Sequence, residues 1–160
     1  MNDQFTIYIF PHLRKWMAKT FEHEKGIFLA TEYNTLGRLI TLCLKDNTNK
    51  KDRYFHADQA GGITGKLQIK LSTYHMRLSP RISKLNRINN ALDTLFKEHL
   101  ITWIRAQYES GIYASTACRH FLEYHGIDPD GTQYNLDAAY KVWQRKKDKT
   151  QSEDSLQSLS

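Results

Sequence analysis

The first stretch of the chain shows two successive hydrophobic patterns with different periods. Apolar and polar residues alternate over residues 5–9, which predicts a short β-strand that ends at Pro11. After Pro11, which suits a first helical turn, apolar residues recur every three or four positions up to Phe21. The sequence therefore predicts a strand followed directly by an amphipathic helix, with Gly26 as a break after it.

The next apolar run has two interpretations. Ile27–Ala30 has the composition of a second strand. We favour a helix after it, because Asn34 can cap a helix whose apolar residues share one face. Those residues are Leu36, Leu39, Ile40, Cys43 and Leu44. The alternative is a β-hairpin that pairs residues 27–31 with residues 38–44.

The middle of the chain passes from a polar segment to a strand and then to a helix. Residues 46–65 are polar and rich in turn-forming residues, so we expect an exposed excursion. Alternation predicts a strand over residues 67–71, and it continues over residues 74–78 with its register shifted by one, as a β-bulge or a second short strand requires. Helical spacing then predicts one long helix over residues 82–109.

Two helices and a tail are predicted for the C-terminal part. Residues 115–125 have helical spacing and precede Gly126, a typical C-terminal stop. Asn135 is a suitable cap for one more helix. Residues 150–160 are rich in Ser, Gln and acidic residues, which predicts a disordered polar tail.

Together these elements predict an α+β protein with a small mixed N-terminal part, followed by a long helix and a two-helix C-terminal segment. A chain of 160 residues suits one compact domain, which we place at residues 1–149. We expect no signal peptide and no membrane segment, because no apolar run approaches the about 18 residues of a membrane helix. Two widely separated cysteines, Cys43 and Cys118, favour a reducing compartment, and we expect a cytoplasmic location.

The charge of the chain favours a polyanionic partner. There are 23 Lys and Arg against 17 Asp and Glu, a net charge of +6, and no acidic residue lies between Asp58 and Asp93. Basic side chains neutralise phosphates and release counterions, while Tyr74 and His75 can stack on unpaired bases. The predicted nucleic-acid-binding residues of this window are Lys66, Lys70, Arg77, Arg81, Lys84 and Arg87. The structural alternative is a solvated helix face and strand edge.

A second basic segment lies in the last predicted helix. Its candidate binding residues are Lys141, Gln144, Arg145, Lys146 and Lys147. Gln can read adenine and Arg can read guanine in a major groove, so we expect DNA rather than RNA. The connection over residues 126–134 is longer than the turn of about 3–4 residues in a strict helix-turn-helix. The alternative is that Tyr140 and Trp143 dock this helix on the core while its basic end complements the helix dipole.

The sequence contains no catalytic or metal-binding motif that would indicate an enzyme. Cys118, His120 and His125 do not share a helix face, so we expect no metal site there. The glycines before Lys66 do not have the spacing of a phosphate-binding loop. We therefore predict no cofactor and no catalytic activity.

A further pattern lies in the C-terminal half. It consists of Phe96, the spacing of Ala117, Phe121 and Ile127, and the basic stretch over residues 141–147. In this pattern the chain resembles small uncharacterised basic proteins of bacterial phages and mobile elements. The resemblance implies no particular activity and assigns no functional residue.

The leading hypothesis is a non-catalytic, nucleic-acid-binding accessory or regulatory protein. The alternative is a protein-interaction or structural module that forms a homodimer, because the apolar spacing over residues 82–109 is close to a heptad repeat. Salt-dependent binding to nucleic acid separates these two hypotheses.

Overall fold

The computed structural model describes residues 3–46, 65–132 and 134–158. The chain divides into two compact units, Met1–Thr94 and Leu95–Ser160. The described strands all lie in the first unit, and the described part of the second unit contains helices and turns. The predicted α+β class is confirmed. The prediction of one domain over residues 1–149 stays a prediction, because two compact units can belong to one domain or to two.

The first unit is built on a four-stranded sheet with the strand order β1-β4-β3-β2. The strands are β1 (Gln4–Ile9), β2 (His23–Glu24), β3 (Ile27–Ala30) and β4 (Gly65–Leu71). β4 pairs antiparallel with β1 and parallel with β3, and β3 pairs antiparallel with β2. The strands predicted near residues 5–9, 27–30 and 67–71 are thereby confirmed, whereas the two-residue β2 was not predicted.

Four helices accompany this sheet in the first unit. They are α1 (Pro11–Thr20), α2 (Thr35–Lys45), α3 (Thr73–Met76) and α4 (Ile82–Leu85). Pro11 occupies the first turn of α1, where its missing N–H is not needed. The Asn34 side chain accepts a hydrogen bond from the Gly37 N–H at 2.8 Å and so caps α2. The helical interpretation of the segment after Asn34 is therefore confirmed over the hairpin.

One face of the sheet forms the core of the first unit. Its buried side chains are Ile7, Ile9, Phe28, Ala30, Leu67, Ile69 and Leu71. α1 adds Leu13, Trp16 and Met17, and α2 adds Leu36, Ile40 and Leu44. Full burial of such a side chain contributes about 1.5–3 kcal/mol. The alternate residues of β4 are exposed, so the described helices pack on a single face of the sheet.

The second unit is helical and has an aromatic core. α5 (Ile88–Glu109) contains the boundary between the units, and α6 (Ala114–Tyr124) and α7 (Leu136–Ser158) follow it. The Phe121 ring lies at the centre of this core and is fully buried. Its centroid is 4.5 to 5.6 Å from the ring centroids of Phe96, His99, Trp103 and His125. Aromatic rings thus form a larger part of this core than of the core of the first unit.

Two ring contacts join α5 to α7 and the residues just before it, and α7 continues as an exposed helix. Tyr134, just before α7, lies 5.2 Å from the Phe96 ring, and Trp143 lies 6.1 Å from the Tyr108 ring. α5 ends at Glu109, while residues 147–158 of α7 are helical and exposed. These residues include most of the predicted disordered tail. The difference arises because extending an existing helix is much easier than nucleating one.

Two predicted elements in the middle of the chain are wrong. Residues 74–78 form no strand; they belong to α3 and a turn, because the Ser72 side chain caps α3 and the His75 ring binds α2. The single helix over residues 82–109 is two helices, α4 and α5, separated by a turn at Asn86 and Arg87. The predicted excursion over residues 46–65 lies almost entirely outside the described residues.

Candidate nucleic-acid interface

The solvent-facing side of the sheet collects residues from three strands. We call this surface the open sheet face; its residues are Gln4, Thr6, Tyr8, Ile27, Leu29, Lys66, Gln68 and Lys70. Alternation puts them on this side because their neighbours in the same strands form the buried core. Directly opposed side chains on a sheet have Cβ atoms about 4.5–5.5 Å apart, so these residues form one continuous surface.

Strand register arranges the open sheet face in rows. Tyr8 is opposite Lys66 in the first row. Thr6, Gln68 and Ile27 form the second row, and Gln4, Lys70 and Leu29 form the third. Lys66 and Lys70 are four residues apart on β4, which separates them by about 13 Å along the strand. The two lysines therefore border a surface that is long enough for several polar groups of a ligand.

The charge on this surface is unevenly distributed. Lys66, Gln68 and Lys70 are all exposed on the central strand β4. The Lys70 Nζ lies 3.9 Å from Asp3 Oδ2, but both side chains are exposed, and such a pair contributes little. At the other edge, Glu24 of β2 pairs with Ile27 and faces the same side. The positive half of the open sheet face is therefore the half formed by β1 and β4.

The segment after β4 fixes its histidine in the interior. Ser72 Oγ lies 2.8 Å from His75 Nδ1, and His75 Nε2 lies 2.8 Å from the Gly37 carbonyl oxygen. Because a carbonyl accepts only, Nε2 carries a proton and donates it to the Gly37 carbonyl. His75 is fully buried and joins α3 to α2. Because its ring is buried, His75 has no exposed face on which a base could stack, contrary to the prediction from the sequence.

The remaining mid-chain cations fall into two groups. Arg77, at the end of α3, and Arg81, just before α4, are exposed. Lys84 and Arg87 are instead half-buried and point to the C-terminal end of α2.

Lys84 and Arg87 have a structural role that their sequence positions do not reveal. The Lys84 Nζ donates to the Leu44 carbonyl at 3.1 Å, and the Arg87 guanidinium donates to the Asp46 carbonyl at 3.3 Å. Arg87 Nη1 also lies 3.7 Å from the Asp46 carboxylate. The last carbonyls of a helix have no helical partner and carry partial negative charge, so both cations stabilise the end of α2.

The predicted C-terminal residues lie along one exposed helix. Lys141, Gln144, Arg145 and Lys147 of α7 are exposed, and Lys146 is partly exposed beside the buried Trp143 stripe. Lys141 Nζ lies 2.8 Å from the Asp137 carboxylate one turn earlier. Trp143 contacts Tyr108 of α5, as the docking alternative expects. These side chains share a helix with acidic residues at positions 137, 148, 153 and 154.

The division into units separates the charge of the chain sharply. The first unit contains 15 of the 23 Lys and Arg but only eight of the 17 Asp and Glu, a net charge of +7. The second contains the other eight basic and nine acidic residues, a net charge of −1. The basic character of the protein therefore belongs to the N-terminal unit.

Other groups with potential chemistry are held in the interior. Burial raises the pKa of both Cys43 and Cys118 to about 11, so their reactive thiolate forms are scarce at neutral pH. Within the described ranges, no three His, Cys, Asp or Glu side chains are grouped as metal ligands. No helix in those ranges combines the length and hydropathy that crossing a bilayer requires.

One residue of the open sheet face was missed as a site residue in the sequence. Sequence alternation makes Tyr8 only one of the polar positions of the strand predicted over residues 5–9. Its partly exposed ring lies opposite Lys66 across the β1–β4 pairing. Alternation along the strands is the sequence feature that points to Tyr8. Tyr8 lies between buried Ile7 and Ile9, and Lys66 precedes buried Leu67 in the same way. Tyr8 and Lys66 become neighbours only because β1 pairs with β4, a strand far away in the sequence.

Comparisons of the chain with protein-family models, with curated proteins and with solved structures found no match. The resemblance to small basic proteins of phages and mobile elements therefore stays a prediction.

Proposed function

We propose that the protein is a nucleic-acid-binding accessory protein whose N-terminal unit contacts the phosphate backbone through Lys66 and Lys70. The observation that carries the proposal is the exposed lysine pair on a sheet face that no described helix covers, within a unit of net charge +7. Polyanions bind such surfaces because each neutralised phosphate releases condensed counterions.

Fewer residues are assigned to nucleic-acid binding here than the sequence predicted. Lys66 and Lys70 are the primary contacts, and exposed Arg77 and Arg81 are secondary ones. Lys84 and Arg87 are assigned to the end of α2, because both donate to backbone carbonyls there. The cations of α7 are assigned a lesser role, because their unit has no net positive charge.

The test is a set of salt titrations with charge-matched variants. Wild-type protein should bind labelled DNA or RNA at low salt, and its affinity should fall steeply as salt rises. The double variant Lys66→Gln, Lys70→Gln should bind more weakly, with a slope of log affinity against log salt that is shallower by about 1.4–1.8.

Two controls remove the same charge elsewhere. Arg14→Gln, Lys15→Gln alters exposed residues of α1 in the same unit, and Lys146→Gln, Lys147→Gln alters α7. Both controls should keep a slope close to that of the wild type. Absence of binding at low salt, or a larger loss in either control than in the sheet variant, would overturn the proposal.

The alternative of self-association through the 82–109 stripe gains no specific support. Leu85, Ile88, Leu92, Phe96, Leu100 and Ile104 are fully buried within one chain. A stripe that is already covered offers no surface to a second copy, so we do not propose a homodimer on this basis.

A further inference from the structure

We infer that the open sheet face selects single-stranded nucleic acid over duplex, with Tyr8 as the residue that stacks on a base. This inference rests on the proposed function, because it names the form of nucleic acid that the same surface accepts. It is carried by the shape of the surface, by the register of Tyr8 with Lys66, and by the distribution of charge.

The shape of the surface argues against a duplex groove. Adjacent strands are about 4.8 Å apart, so the four strands span about 14 Å between their outer members. A B-DNA major groove is about 12 Å wide and admits a helix or a two-stranded ribbon, not a broader sheet. A single strand has no such restriction, because it can lie along the face with its bases turned toward the protein.

The position of Tyr8 provides the base contact. Its ring is partly exposed on β1 and lies directly opposite Lys66 on β4. A phosphate bound by Lys66 therefore places an adjoining base within reach of the Tyr8 ring. Stacking on an aromatic ring needs an unpaired base and tolerates any base type. The pairing of ring and cation thus favours single strands without requiring a particular sequence.

The rest of the face fits the same ligand. Ile27 and Leu29 are partly exposed on β3, beside Gln68 and Lys70 in the register. Apolar side chains can cover base surfaces, while the exposed Gln68 amide can donate and accept hydrogen bonds at base edges. Glu24 lies at the far edge on β2. The charges therefore favour a path in which phosphates follow β1 and β4 and bases point toward β3.

The experiment compares three ligands of matched sequence: single-stranded DNA, single-stranded RNA and the DNA duplex. Fluorescence anisotropy titrations of the full chain at one low salt concentration give the affinities. Tyr8→Ala should weaken single-strand binding about 5- to 150-fold, the effect of losing one stacked base, and should leave duplex binding nearly unchanged. Tyr8→Phe is the matched control, because it keeps the ring and removes only the hydroxyl.

Each outcome is decisive. Tighter binding of either single strand than of duplex, with selective loss in Tyr8→Ala and retention in Tyr8→Phe, supports the inference, and the DNA and RNA arms identify the preferred backbone. Equal or tighter duplex binding by the wild type overturns it, whatever the folding of the variants, and leaves the proposed function standing. Equal losses in Tyr8→Ala and Tyr8→Phe also overturn the stacking role. Failure to bind any of the three ligands overturns the proposed function itself.

Discussion

The two units of this chain use cationic residues in different ways. In the N-terminal unit, β4 presents Lys66 and Lys70 on an exposed sheet face, and the unit as a whole has a net charge of +7. In the C-terminal unit, Lys141 is paired with Asp137, and acidic residues outnumber basic ones by nine to eight. A run of lysines in sequence is therefore a poor guide to a positive surface unless its folded neighbours are known.

The units also differ in what holds them together. Alternating aliphatic residues such as Ile69 form the core under the sheet, whereas the core around Phe121 is made of aromatic and histidine rings. Histidine in a core makes stability sensitive to pH, because burial disfavours the charged imidazolium. Burial lowers the pKa of His99, so acid should weaken the C-terminal unit through this side chain.

The largest expected effect comes from removing the centre of the aromatic core. Phe121→Ala should lower the free energy of unfolding by about 3–5 kcal/mol, because a buried ring with several ring neighbours leaves a cavity. Urea unfolding followed by circular dichroism measures the loss. Tyr113→Ala is a control at a position that is 81% exposed, and it should be close to neutral. Similar losses in both variants would contradict the proposed core.

A smaller effect is expected where α2 meets the end of β3. Gly37 has no room for a side chain, because a Cβ atom there would collide with the Thr31 backbone. Gly37→Ala should destabilise the protein by about 1–3 kcal/mol, as overpacking usually does. Ser83→Ala, which introduces alanine at an exposed position of α4, is the control and should be close to neutral. Thermal unfolding in which both variants match the wild type would show that the Gly37 contact is not close.

The cations at the end of α2 provide the sharpest comparison within the N-terminal unit. Lys84→Gln, Arg87→Gln should lower stability by about 1–2 kcal/mol, because helix-terminal carbonyls lose charged donors. Arg77→Gln, Arg81→Gln removes the same charge from exposed positions and should leave the unfolding midpoint nearly unchanged. Indistinguishable midpoints for the two double variants would mean that Lys84 and Arg87 are not structural.

The smallest predicted effect is a pH dependence that arises from His99. Burial lowers the pKa of His99 below its ordinary value of 6.5, so the unfolded chain binds the proton more readily. Stability should therefore be complete above pH 6.5 and decline as the pH falls through 6.5 toward the folded-state pKa. Unfolding of the wild type and of His99→Gln across this range measures it; a variant with an unchanged acid-side slope would contradict the assignment.

Local patterns predicted much of the fold. The alternation around Ile7 and Ile69, the proline at position 11 and the Asn34 cap each determine an element from nearby residues alone. The failures arise from contacts between distant segments. Alternating Tyr74 and Met76 suggested a strand, but the buried His75 ring bonds to the Gly37 carbonyl and fixes a helical turn instead.

The candidate site was predictable only in part, for the same reason. Lys66 and Lys70 were identified from charge, since their window contains no acid. The position of both lysines on the open sheet face, with Tyr8 beside Lys66, depends on the β1–β4 pairing between residues far apart in sequence. Lys84 and Arg87 were grouped with them because no local signal reveals that both side chains reach back to the end of α2.

We propose that nucleic acid contacts the open sheet face and not the basic end of α7. Lysine acetylation of the unmodified protein, with and without a single-stranded oligonucleotide and read out by mass spectrometry, tests it without any substitution. Bound nucleic acid should protect Lys66 and Lys70, while Lys146, Lys147 and Lys149 should react at the rate seen without ligand. Protection of the α7 lysines with unchanged reaction at Lys66 and Lys70 would place the contact on α7 instead and overturn this proposal.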